Sequence, residues 1–187
     1  MLLKTDKGGF MRKKVSFDYY VLLFFLVSFS GWVWEAGIYL VREGRFVNRG
    51  ILLGPWLPIY GAGALFLYLL LRPWKRRPFP VFLISAAVCS LLEYLAGFFL
   101  EKTWGVRWWD YSGMFCNLDG HVCLMSALLF GFGGLFLIFV LIPVYTGLYH
   151  KIPEKSRLTA AFLLLGIFVM DAAHSADFPH SGRGITY

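Results

Sequence analysis

The apolar residues of this chain fall into five blocks near the length of a bilayer span, separated by short stretches in which Lys, Arg, Gly, Pro and Trp accumulate. The blocks run over residues 17–40, 51–71, 81–100, 121–143 and 158–176, after a basic leader at 1–16 and before a polar tail at 177–187. The pattern predicts an all-α, polytopic helical membrane protein with about five transmembrane helices, and 1–187 as one integral membrane domain. Two blocks depart from a plain span. In the second, Pro55 and Pro58 remove backbone donors near the start, so LGPWLPIYG reads as a broken or re-entrant entry, which a membrane tolerates only where protein or water satisfies the freed backbone. In the fifth, the apolar run Leu158–Met170 covers only 13 residues, so a crossing must take in Asp171 and His174 and end near Ala176.

The pattern also has an internal echo. Laying Gly50 on Gly120 puts Gly61 on Gly131, Gly63 on Gly133, and Leu65-Phe66-Leu67 on Leu135-Phe136-Leu137 without a gap. Leu and Phe matches are cheap in apolar sequence; three glycines in register are not. Glu35 and Glu93 each stand late in the preceding apolar block. Two helix-loop-helix repeats in parallel orientation, plus a fifth helix, follow from this, an architecture that some transporters use. Gly50 and Gly54 form a small-xxx-small pair, and Gly61 and Gly131 are expected at close helix contacts.

Composition supports the membrane reading: 58% of residues are hydrophobic and 16% charged, where soluble domains carry roughly a quarter charged. The net charge of +7 does not point to nucleic acid, because the basic residues lie in short clusters between apolar blocks and act as topology signals. With the amino terminus inside, the cytoplasmic segments hold 12 Lys and Arg and the external ones 6. That bias predicts a multi-pass protein of the inner (cell) membrane with a cytoplasmic amino terminus and an external tail. The cluster Arg42, Arg45 and Arg49 falls outside against the trend, and suits pairing to Glu35 or Glu43, lipid headgroups or an anionic solute.

Candidate chemistry is sparse. There is no P-loop, GxSxG or HExxH, so the chain does not hydrolyse ATP by itself and no nucleophile is assigned. Cys89, Cys116 and Cys123 make no CxxC; Cys89 reads as core packing, and spacing alone does not decide whether Cys116 and Cys123 pair. Asp171, His174, Asp177 and His180 step by three, but such a step drifts around a helix and Pro179 interrupts it, so an exposed polar tail is expected rather than a metal site. The aromatic loop with Trp104, Trp108, Trp109, Tyr111 and Phe115 reads as a membrane-interface belt, with a ligand-binding cluster as the alternative. His121 reads as an interfacial hydrogen-bonding residue. A carboxylate in hydrocarbon costs at least roughly 3 kcal/mol unless it meets a partner or water. Glu35 and Glu93 are therefore the candidates for a shared polar cavity, or for separate pairing, Glu35 with Arg42, Arg45 or Arg49 and Glu93 with Arg107.

FVNRGILLGPWLPIYGAGAL (46–65) and RWWDYSGMFCNLDGHVCLMSALLFG (107–131) resemble a family of small bacterial membrane proteins, the ABC-transporter type IV or CmpB-like permeases, over about residues 18–175. The resemblance implies a five-span permease served by a separate ATPase. The residues matching the motifs are Glu35, Asn48, Arg49, Gly50, Gly54, Pro55, Pro58, Tyr60, Gly61, Glu93, Trp108, Trp109, Asp110 and Tyr111, while His121 stands where the family leads one to expect Arg. The leading reading is a permease subunit, not an enzyme, whose repeats enclose a polar pocket lined by Glu35, Arg49 and Glu93, with no cofactor. Five helices make a thin wall, so a homo-oligomer or another membrane subunit is expected in the lipid bilayer. Two rivals are a membrane-embedded enzyme acting on lipid or lipid-linked substrates through Glu35, Glu93 and Asp110, and a regulatory subunit without a ligand.

Overall fold

The structure, a computed structural model, describes residues 16–44, 46–48, 50, 52–105, 107 and 109–177. Among these it has five helices: α1 Phe17–Glu43, α2 Pro58–Leu71, α3 Pro78–Trp104, α4 Leu124–Tyr149 and α5 Glu154–Asp177. All but α2 are long and apolar enough to cross a membrane. The fold is thus all-helical and multi-pass, as the pattern predicts, but most helices outrun their apolar blocks. α3 begins at Pro78, because Pro is accommodated at a first helical position whose N–H has no intrahelical partner anyway. α1 and α3 each end on a glycine with positive φ, Gly44 and Gly105, whose N–H returns to Leu40 and Glu101 carbonyls. The fifth block makes a full helix of 24 residues, starting before its apolar part.

Two boundaries required correction. Pro143, where the fourth span was expected to stop, lies inside α4. A π-helical stretch at Leu137–Leu141 precedes it, and the Ile142 N–H reaches back five residues to the Leu137 carbonyl. That extra residue in the turn eases the clash and missing donor that Pro brings to a helix interior. The second span is not a helix over 51–71. α2 has only 14 residues, and the chain from Leu52 to Leu57 is irregular.

The helices form two hairpins, α1 against α2 and α3 against α4, with α5 lying along α1. α5 runs parallel to α1: Arg157 meets Asp18 near one end, and Phe168 packs on Phe24 and Phe25 further along. The hairpins touch where Leu71, Ala64, Val81, Leu137 and Ile138 pack together. Close approach depends on glycine at two of the predicted positions. A Cβ on Gly61 would lie 2.5 Å from the Phe24 carbonyl oxygen, and one on Gly131 would lie 2.5 Å from the Phe82 ring. Gly63 and Gly133 instead face open space, and Gly50 and Gly54 are not in a helix, so the small-xxx-small pair makes no helix contact. Gly50 and Gly120, which open the echo, both have positive φ, 94° and 73°.

These contacts predict a contrast in thermal unfolding in detergent. Gly61→Ala is expected to destabilise by about 1–3 kcal/mol through overpacking against backbone. Gly63→Ala and Gly133→Ala are expected to change little.

Candidate functional site

The irregular segment before α2 dips into the protein beside α1. The Leu57 N–H donates to the Ser28 carbonyl, 3.0 Å away, although the chain left α1 at Glu43. Fifteen helical residues separate those two levels, a descent of about 22 Å at 1.5 Å per residue. The segment is therefore re-entrant, as the two prolines suggested, and its backbone needs partners other than water.

Asp171 of α5 supplies them. One carboxylate oxygen accepts the Leu53 N–H at 2.9 Å and the Ser175 hydroxyl at 3.2 Å. The other accepts the Gly54 N–H at 2.9 Å and the Trp56 indole N–H at 2.8 Å. Trp56 and Leu52 then seal the segment against Val21, Phe25, Phe168 and Ala161. Four donors converging on one carboxylate spread its charge over dipoles and a hydroxyl, which is how an acid is held in a span without a cation. The expectation of an exposed polar tail is therefore wrong at Asp171, which is buried, as is its partner Ser175; His174 and Asp177 are exposed, and His180 lies outside the described residues. Among the described residues no group of three His, Cys, Asp or Glu could hold a metal ion.

Around this segment the predicted residues sort into two groups. In the first hairpin Glu35 accepts the Tyr60 hydroxyl at 2.7 Å. The Trp32 indole donates to Asn48, whose amide donates in turn to the Leu53 carbonyl at 3.0 Å. Arg45 and Arg49, and with them their own expected pairing to Glu35, lie outside the described residues, as does Trp108.

In the second hairpin Glu93 accepts the Tyr111 hydroxyl at 3.2 Å. Burial and the neighbouring Glu93 push the Tyr111 hydroxyl up to about 12, so it stays a donor. Arg107 does not pair with Glu93: its guanidinium bonds Glu101 at 2.8 Å and Asp110 at 3.4 Å. Asp110 is exposed, and the Ser112 hydroxyl and N–H hold its carboxyl below the usual carboxylate range. That stabilisation of the loop is present above the ordinary Asp range and fades as pH falls through the lowered value. His121 is 3% exposed; its Nε2 lies 3.2 Å from Glu101, and its carbonyl accepts the Trp109 indole N–H. Cys89, Cys116 and Cys123 are free thiols, and Cys123 caps α4 by accepting the Ser126 N–H.

Sequence reasoning missed a third cluster, at the opposite ends of the helices. Asp18, 0% exposed, accepts the Tyr149 hydroxyl at 2.7 Å and Arg157 Nε at 3.2 Å, and contacts Ser16. The Arg157 guanidinium also lies 4.1 Å from the Tyr149 ring centroid and donates to the Tyr149 and Ile152 carbonyls, closing the end of α4. Tyr145 donates to the Tyr19 carbonyl beside them. Arg157 had been counted only as a topology signal; an acid in the first turn of the apolar first span was the available clue.

This geometry describes a multi-pass helical membrane protein with a re-entrant segment and paired acidic and aromatic residues within its hairpins. The family model described as "Putative ABC-transporter type IV" matches residues 22–176, and the chain belongs to that family. No curated protein and no solved structure matches the chain.

Two outcomes are expected from the buried acids. Asp171→Ala is expected to lower stability by at least about 3 kcal/mol, since several charge-assisted bonds worth roughly 1.5–3 kcal/mol each are lost. Trp56 fluorescence should report its exposure; an unchanged spectrum and melting temperature would show that the segment does not depend on Asp171. Arg157→Met is expected to cost about 3–5 kcal/mol by stranding Asp18. The pair Asp18→Asn with Arg157→Met is expected to cost less than the sum, and additivity in the double-mutant cycle would deny the coupling.

Proposed function

We propose that this chain is the membrane-embedded permease subunit of a transport system whose two hairpins are copies of one unit in parallel orientation. Between them they carry Glu35 and Glu93 into one polar passage, with Arg49 as a further lining residue. The observation that carries the reading is the matched chemistry of the hairpins. Phe24 and Phe82, and Glu35 and Glu93, stand 58 residues apart in the chain, and each Phe receives the glycine of its own hairpin, Gly61 or Gly131. Each acid takes a tyrosine hydroxyl from its own hairpin. Acids in spanning helices are costly in hydrocarbon, and ion and solute pathways are one of the settings that retain them. The family description supports transport, and the sequence carries no P-loop, so energy from ATP would come from a separate ATPase. The reading assigns no catalytic residue, and places the chain in the inner membrane with its amino terminus cytoplasmic, as a homo-oligomer or beside another membrane subunit.

Two experiments bear on it. Purified from native membrane, the chain is expected to bring with it an ATP-binding protein whose hydrolysis rate changes on reconstitution with the chain and reverts with Glu35→Gln or Glu93→Gln. No such protein, or one indifferent to both variants, would defeat the ATPase-served permease. For orientation, Gly113→Cys in a background without the native cysteines is expected to react with an impermeant thiol reagent in intact cells, while Lys75→Cys is protected. The reverse pattern would invert the topology.

A further inference from the structure

Hairpin two contains buried oxygen atoms that its own hydrogen bonds leave unused. Glu93 Oε1 accepts from Tyr111, but Oε2 is sealed from solvent and has no hydrogen-bond partner among the described residues. One turn back on the same helix, Ser90 Oγ is likewise buried and unpartnered. Serines in apolar helices ordinarily return their hydrogen to the carbonyl four residues back, as Ser85 does to Val81 at 2.8 Å, so Ser90 departs from the rule. The Ser126 hydroxyl of α4 adjoins the Glu93 carboxyl but donates its own hydrogen to the Cys123 carbonyl at 3.0 Å. The nearby cationic groups are engaged elsewhere, Arg107 with Glu101 and Asp110 and His121 with Glu101.

We propose that Glu93 Oε2 and Ser90 Oγ, three residues apart on α3, form a binding site for a single monovalent alkali cation, with sodium as the test ion. The inference rests on the transport reading above and names the ion that the second hairpin would carry. Its logic is charge and hardness. An ionised Glu93 needs a counter-charge inside a span, which a neutral filler satisfying the hydrogen bonds does not supply. The unused oxygens are hard donors, which suit alkali and alkaline-earth ions and not soft metals. One carboxylate balances one positive charge, whereas a divalent ion generally gathers several acidic ligands, and no group of three such residues occurs among the described residues. Tyr111 keeps its lone pairs, and Ser126, whose Oγ also accepts the Cys123 N–H at 3.2 Å, keeps one to complete the shell, since each uses its hydrogen in a bond already described.

The test uses the full chain in detergent, with radiolabelled sodium binding and thermal unfolding in sodium, potassium or choline chloride at equal ionic strength. Saturable sodium binding is expected, together with a rise of melting temperature that grows with sodium and is absent in choline. Glu93→Gln is expected to abolish both, and Ser90→Ala to weaken sodium roughly tenfold by removing one ligand. Equal stabilisation by choline, or saturable sodium binding that survives Glu93→Gln, would overturn the site. If Glu93→Gln does not fold, Ser90→Ala decides, and unchanged affinity there overturns it. Binding is read without any flux measurement. An ATPase-coupled transporter indifferent to sodium would therefore sink the site and spare the transport reading, and sodium binding without transport would do the opposite.

Discussion

Irregular backbone inside a bilayer survives only if every exposed N–H and C=O finds a partner, and in this protein one carboxylate meets much of that demand. Asp171 gathers the N–H groups of Leu53 and Gly54 and the indole of Trp56, so the chain can descend beside α1 and begin α2 level with Ser28. The rest follows from that level. α2 needs only 14 residues to finish the crossing, Gly61 meets α1 at Phe24, and Tyr60 arrives within reach of Glu35.

α5 is consequently more than an added span. It is fastened by acid chemistry near both ends, Arg157 to Asp18 at the start of α1 and Asp171 to the re-entrant segment further along. Between these points Leu164, Leu165 and Phe168 pack on the same cluster as Phe25 and Trp56. A buried ion pair by itself is weak evidence for stability, because desolvation offsets its attraction. Its geometric effect is surer: Arg157 also holds the last carbonyl of α4 and that of Ile152 beyond it, so three helix ends are set against one another by one side chain.

The hairpins solve similar problems by different means. The loop between α3 and α4 is held within its own hairpin: Asp110 on Ser112, the Tyr111 N–H on the Gly120 carbonyl and the Trp109 indole on the His121 carbonyl, with Arg107 and His121 on Glu101 of α3. Hairpin one sends its loop inward and depends on α5. A bracing carboxylate therefore serves the first hairpin, and an acid with a free oxygen, Glu93, remains in the second.

Much of this was legible in the chain itself. Apolar blocks of span length, proline-marked entries and glycines in register are local or periodic properties, and they yielded the helical membrane class, the re-entrant entry, the close contacts at Gly61 and Gly131, and the family. Helix ends lie beyond the apolar blocks because the prolines at the start of α3 and before the end of α4 are absorbed by a first turn and a π-helical turn. What the sequence by itself could not determine was which polar groups meet. Asp171 looked like the start of a tail, Arg157 like a topology signal and Arg107 like a partner for Glu93. Each was decided by which helices lie side by side, because a polar group in a membrane is placed by the nearest group able to satisfy it, and in the folded protein that group stands up to 139 residues away along the chain.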